Sequence, residues 1–532
     1  MARLSSAILL FLYLAFTNII TTNAFSIYAN FSTFEPSSNP VPADFLALSV
    51  EWQQVIKSFM KYYRGTATNI PNPIMIRLLR NLAAEVNYAS MPTIRVGGNS
   101  ATIQWWNGSS LVRPNAASYP VSFRHFGAME TVAHNAGIKL VANIGMLNGT
   151  DPSAATDFIA SGILANINYK NLLAIELGNE PELYVRNGRR DPTWDYFTQT
   201  PIEFQTYLAS IAAAIPSMPT TNYFWGPAMT PTGNNQNFLA ASLPAVNGIS
   251  LHRYGIDGCN SSESPSMNLL LADPTVNTYK FIRNDIINAT ALGHPLGTRQ
   301  VIATEINSAS CGGVANISNT FGAALWGVDT FLTLATNNFT KAFVHGLQGV
   351  YPKSTPNSYA PWVQNLHNNS VIVMPIYYAM VQTNRILGGA NAVVRAVHFS
   401  IVDTTGMSDP TITTPNIKVY MVTRGTSTNI VVIHKDLGMP NVTVAIDVAN
   451  IPNDTGSAVL ERMKAPSVYT SRDIRLAGYT LDWTSDGGFR GSRVSAVVTP
   501  TSGSYYIGVY QGSVAVLYAG TQSILSTVGA LN

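Results

Sequence analysis

Eight short apolar runs, each followed by a longer helix-like stretch, fill residues 43–390 and decide what the chain can become. The runs are 45–50, 93–97, 139–144, 172–177, 222–228, 248–251, 300–304 and 341–345. Alternation of this kind implies parallel strands joined by helical crossovers. Eight units fit a closed (β/α)8 TIM barrel. The competing doubly wound sheet wants an early Gly-rich phosphate loop, and the sequence carries none.

The texture changes after residue 390. Runs 417–422, 430–434, 442–448, 458–460, 493–498 and 505–510 are short, rich in Val, Ile, Thr and Tyr, and separated by turn residues. They predict a C-terminal antiparallel β-sandwich domain over 391–532. Phe25–Phe34 also reads as a strand, so residues 25–42 are expected to join that sheet. No low-complexity linker separates the regions, which predicts a packed interface.

At 532 residues the chain is too long for one ordinary core. Apolar residues make up 46% and charged residues 11%, which excludes a disordered chain. The low charge also argues against a nucleic-acid binder, which needs a clustered basic face. Residues 1–24 read as a signal peptide: Met1-Ala2-Arg3 is basic, 7–20 is apolar, and small residues precede Phe25. That run is short for a membrane span of about 20 residues. No later segment looks membrane-spanning, so the expected product is soluble and secreted. Ten Asn-x-Ser/Thr sequons, from Asn30 to Asn453, fit export. Cys259 and Cys311 follow segments at the same end of the barrel, as a disulfide or as two buried thiols.

The stretch Leu172-Leu-Ala-Ile-Glu-Leu-Gly-Asn-Glu-Pro181 carries the most chemistry. Strand side chains alternate faces. Leu173, Ile175 and Leu177 suit packing against helices; Ala174, Glu176 and Gly178 suit a crowded barrel interior. Glu180 continues the interior set at the C-terminal end, where barrel active sites lie. Pro181 stops the ladder. Asn179 is placed to bond a sugar hydroxyl. A second carboxylate, Glu305, follows the run 300–304 and precedes Asn307-Ser-Ala-Ser-Cys-Gly-Gly313. Two carboxyl groups across one barrel mouth are what glycoside hydrolysis requires; about 5 Å between them gives retention and a wider gap gives inversion.

Glu176-Leu-Gly-Asn-Glu-Pro181 resembles the acid/base motif of glycoside hydrolase family 79, the β-glucuronidases and heparanases. Glu305-Ile-Asn-Ser-Ala-Ser-Cys-Gly-Gly313, with Phe321-Gly-Ala-Ala-Leu-Trp-Gly327, resembles its secreted fungal members. The resemblance implies a retaining mechanism with Glu305 as nucleophile and Glu180 as acid/base. It also implies that Tyr254 bonds the nucleophile, and that Glu51, Gly98 and Asn99 bind sugar hydroxyls. Gly312 would offer its N–H to a substrate carboxylate, and Tyr351 would contact the same group. The chain departs from the family at Ser310, where many members carry a Tyr that helps bind the uronate; Ser310 can still donate one hydrogen bond to the substrate, with a shorter reach. Arg253, His345 and Lys353 are candidates to compensate, though a structural role suits each better.

Glu176 is read as an interior structural carboxylate, Glu182 as solvated, His252 as a satisfied histidine at the mouth, and Trp326 as helix packing. Gly-x-Ser-x-Gly, His-Glu-x-x-His and a cysteine cluster are missing, so serine- and zinc-hydrolase chemistry has no motif here. No metal or organic cofactor is implied. The expected function is release of terminal glucuronic acid, or its 4-O-methyl form, from extracellular glycans. The alternatives are an endo-acting heparanase-like enzyme, a neutral-sugar exo-glycosidase, and a carbohydrate-binding protein on a decayed barrel. The sequence leaves the oligomeric state open.

Overall fold

The computed structural model describes residues 25–34, 38–111, 119–146, 149, 151–216, 223–230, 246–259, 264–272, 299–346, 348–351, 358–403 and 416–520. The expected leader, 1–24, lies outside the described residues, as does Lys353. After β1 (Phe25–Phe34) come β2 (Leu46–Glu51), β3 (Ile94–Gly97), β4 (Leu140–Ile144), β5 (Leu172–Leu177), β6 (Phe224–Met229), β7 (Val246–Ile256), β8 (Gln300–Ala309) and β9 (Lys341–His345). Strands β2 to β9 close a parallel barrel in chain order, and all eight apolar runs overlap them.

The period-2 alternation fills the barrel. Ala47, Val141, Ala174, Trp225, Ile302 and Phe343 form an apolar layer inside it. Two residues further along their strands, Ser49, Asn143, Glu176 and His345 form a polar layer, all buried. Ile175 and Leu177 join the separate cluster that contains the helices.

Strands β7 and β8 are longer than the sequence predicted. Their pairing slips between Leu251 and His252, where the partner jumps from Ala303 to Glu305, and then continues to Ile256 and Ala309. A bulge of this kind re-aims side chains beside a site. Beyond the extension, Cys259 and Cys311 are joined as a disulfide with their Cα atoms 5.4 Å apart.

Apart from short strands in small two- and three-stranded sheets beside the barrel, the strands that follow are β10 (Val393–Asp403), β11 (Ile417–Arg424), β12 (Ser427–His434), β13 (Val442–Asp447), β14 (Ala458–Lys464), β15 (Arg475–Leu476), β16 (Ala496–Val498), β17 (Ser504–Val509) and β18 (Ser513–Gly520). With β1 they form one sheet, ordered β15-β14-β18-β12-β11-β10-β1-β13-β17, with β16 on β14. The sheet folds over itself as a sandwich. Ile430, Val432, Ala515 and Leu517 share a core with Ile27, Val444 and Ile507. Alternate residues Val431, Ile433, Val514 and Val516 join the barrel's core instead. These central strands are therefore buried on both faces, which is why Ser513–Gly520 lacks polar alternation and was not recognised as a strand. Val393–Asp403 was also missed.

An ionic cluster crosses between barrel and sheet. Glu85 caps α1 (Pro73–Ala84); Arg385 lies on α3 (Pro375–Leu387), after α2 (Phe321–Thr336). Arg385 Nη2 and Nε donate to Glu461 Oε2 at 2.6 and 2.9 Å, and Nη1 lies 3.7 Å from Glu85. Arg493 Nε adds a 2.7 Å bond to Glu461. Burial pushes the Glu85 carboxyl up to about 7; Arg385 offsets part of this and Glu461 adds to it. A raised carboxyl pKa means that the folded chain holds the proton more tightly than the unfolded one. That contribution to stability is full below 4.5 and is lost as pH rises through about 7. Glu85→Gln is therefore expected to gain thermal stability over wild type at pH 8 relative to pH 5. Calorimetry at both pH values checks this; an equal difference at both would remove the linkage.

Candidate active site

The carboxyl ends of β5 and β8 place the two glutamates. After β5 the chain turns through Gly178 at φ +84° and Glu180 at φ +48°. A left-handed Glu is strained, and it is held by the Glu180 N–H donating to Ala228 O at 2.8 Å. The Glu180 carboxyl meets His252 Nδ1 at 3.1 Å.

Glu305, 4% exposed, faces the same space through the bulge in β8. Tyr254 Oη donates to its Oε2 at 2.7 Å, and Arg95 Nη1 donates to its Oε1 at 2.7 Å. His252 Nδ1 and His345 Nδ1 lie 3.7 and 3.6 Å from its oxygens. Burial alone would raise this carboxyl. His252, His345, Arg95 and the Tyr254 hydroxyl outweigh burial and hold it well below the usual carboxylate range. These neighbours therefore favour the ionised form of Glu305. One oxygen of each glutamate and one His252 nitrogen lie within 4.8 Å of one another. The two carboxylates thus open onto one space, as a glycosidase pair requires.

The same three residues could in principle ligate a cation. Arg95 already places positive charge on Glu305 and comes within 3.5 Å of His252 Nε2, which opposes one.

Arg95 is the residue that sequence reasoning missed. It is fully buried and gathers the site: Nε to Glu176 at 2.5 Å, Nη1 to Ser49 Oγ at 3.1 Å, Nη2 to Asn179 Oδ1 at 3.1 Å. Glu176 is thus the interior structural carboxylate expected. The signal was available, because an Arg inside a short barrel strand needs a buried carboxylate. His252 does more than sit at the mouth: it links Glu180 and Glu305. Tyr359, also missed, is buried against His345 and Tyr254 with centroids 6.1 and 6.4 Å away.

Other expected residues find varied settings. Glu51 Oε1 accepts from Asn99 N at 3.1 Å; Oε2 accepts from Ser100 N at 2.7 Å and from the Ser100 hydroxyl. Both its oxygens thus order the turn Gly98–Thr102. Gly98 is required there: φ is +77°, and a Cβ would fall 2.5 Å from Glu51 Oε1. Asn179 is buried, with its Nδ2 3.4 Å from Asn99 Oδ1. Gly312, at φ +87°, accepts from Ser358 N at 2.9 Å. Tyr351 ends the strand Gln348–Tyr351, and its side chain lies outside the described residues.

Two expectations need correction. Ser310 does not offer its hydroxyl to the mouth: Oγ donates to Asp257 Oδ1 at 3.0 Å and accepts from Gly258 N at 2.9 Å, holding the disulfide loop. Glu182 is not solvated. Its Oε1 accepts from Thr230 N and Oγ1 at 2.8 and 2.6 Å, and its Oε2 is buried. Trp326 is fully buried in α2.

A closed parallel barrel with paired carboxylates at its carboxyl end defines the architecture of the barrel glycoside hydrolases. No family model matches the chain. It resembles the curated β-glucuronidases of Aspergillus niger, 26% identical over 350 residues, and Neurospora crassa, 25% over 368 residues. These matches take in 60% and 63% of this chain and 61% of each relative, so they span less than two thirds of either relative's length. A 4-O-α-L-rhamnosyl-β-D-glucuronidase from Fusarium oxysporum shares the fold, with a TM-score of 0.68 over 92% of this chain and 99% of that one, at 17% identity. The two curated relatives support the likeness to family 79 drawn from the motifs. Among the described residues, no helix is long and apolar enough to cross a membrane.

Proposed function

We propose that this chain is a retaining exo-β-glucuronidase that removes terminal glucuronic acid, or its 4-O-methyl form, from extracellular glycans. The observation that carries the reading is the close Glu180–Glu305 pair, with Tyr254 and Arg95 bonded to Glu305. Glu305 attacks the anomeric carbon while Glu180 gives its proton to the leaving glycosidic oxygen. The C1–O bond breaks and a glycosyl ester forms on Glu305. Glu180, now a base, takes a proton from water; the water oxygen bonds to C1 and Glu305 leaves. Tyr254 and Arg95 keep Glu305 ionised and aligned between turnovers. The glucuronidase names of the two curated relatives support the choice of sugar. Ser310 is already bonded to Asp257, so recognition of the uronate falls to Gly312 N–H and Tyr351 in this reading.

The test is a panel of aryl β-glycosides, with the released sugar followed by proton NMR. Hydrolysis of the glucuronide, with the β-anomer appearing first, is the expected result. Turnover of a neutral glycoside alone would transfer the catalytic pair to the exo-glycosidase alternative. The α-anomer appearing first would end the retaining mechanism.

A further inference from the structure

Glu182 stands two residues beyond Glu180 and takes no part in the chemistry above. It lies in the turn Pro181–Leu183, which the left-handed Glu180 precedes. Such a conformation is strained for a residue with a Cβ, so the surroundings must hold it. Two links to the end of β6 do so. One is the Glu180 N–H on Ala228 O; the other is Thr230, whose N–H and hydroxyl both donate to Glu182 Oε1. The second oxygen, Oε2, is buried and accepts no hydrogen bond among the described residues. An amide oxygen would serve Thr230 equally well and would leave no buried charge to solvate.

We propose that Glu182 is the positioning residue of the acid/base: through Thr230 it fixes the strained Glu180 turn against the end of β6. The inference rests on the reading of Glu180 as acid/base. Glu180 faces Glu182 from its own turn and Thr230 faces it from β6. His252 of β7 stands behind Glu180 at 3.1 Å. Residues 231–245, which follow Thr230, include no titratable side chain. Burial pushes the Glu182 carboxyl up to about 7, Thr230 lowers it in part, and the Glu180 charge raises it.

The experiment is kcat and KM, measured separately on an aryl glycoside that the wild type hydrolyses, for Glu182→Gln and Glu182→Ala. Glu182→Gln keeps an oxygen for Thr230, and its kcat is expected to stay within about threefold of wild type. Glu182→Ala loses the clamp, and its kcat is expected to fall about 10- to 100-fold with little change in KM. A kcat in Glu182→Gln as low as that of Glu182→Ala, or wild-type kcat in Glu182→Ala, would overturn the proposal. Full activity in Glu180→Gln would instead overturn the acid/base reading beneath it, so the two failures are separable.

Discussion

Glu305→Gln is expected to lower turnover of an aryl β-glucuronide by about 10⁴-fold or more. The amide keeps the volume of the carboxylate but is a poor nucleophile. It also presents an NH2 toward the donors Tyr254 and Arg95, which now bond both carboxylate oxygens. Glu180→Ala should behave differently. Its loss depends on how much the leaving group needs a proton, so a dinitrophenyl glycoside should suffer far less than a methoxyphenyl one. Azide should restore Glu180→Ala to a β-glycosyl azide, because its covalent ester still forms. Steady-state rates and product anomers check both variants. Retained turnover in Glu305→Gln would remove Glu305 from the nucleophile role.

Arg95→Met is expected to destabilise the fold by about 3–5 kcal/mol, because it leaves buried carboxylates without their partner. Glu176 is fully buried and bonded to Arg95 at 2.5 Å; Glu305 loses its bond to Nη1. The double variant Arg95→Met/Glu176→Gln should recover part of the loss, because one buried charge then disappears with its partner. Urea unfolding midpoints for the single and double variants measure this. A single variant as stable as wild type would mean that the pair carries no net charge interaction. Activity should fall as well, since Glu305 would lose one of the groups that hold its carboxyl low.

The barrel was legible because period-2 alternation and strand-helix spacing are local properties, and all eight runs land on its strands. Glu180 and Glu305 were legible because each follows an apolar run at its C-terminal end. What local pattern does not encode was lost. The β8 bulge, which aims Glu305 inward, depends on register against β7. The Thr230 clamp on Glu182 and the Asp257 bond of Ser310 join residues 48 and 53 positions apart, so both side chains were read as free. The role of Arg95 was not legible, because its partners come from other strands and from the turn after β5. Ser513–Gly520 was invisible as a strand because burial on both faces erased its alternation.

The place of β1 has a consequence for how the protein is made. Its Phe25–Tyr28 segment lies between β10 and β13, antiparallel to one and parallel to the other. Those neighbours are synthesised roughly 370 residues or more after it, which makes this closure among the slowest kinds of contact to form. The nascent chain therefore carries this strand unpaired for tens of seconds of translation while the barrel assembles behind it. An unpaired edge of this kind is the first place where a crowded chain would cross over to a neighbour.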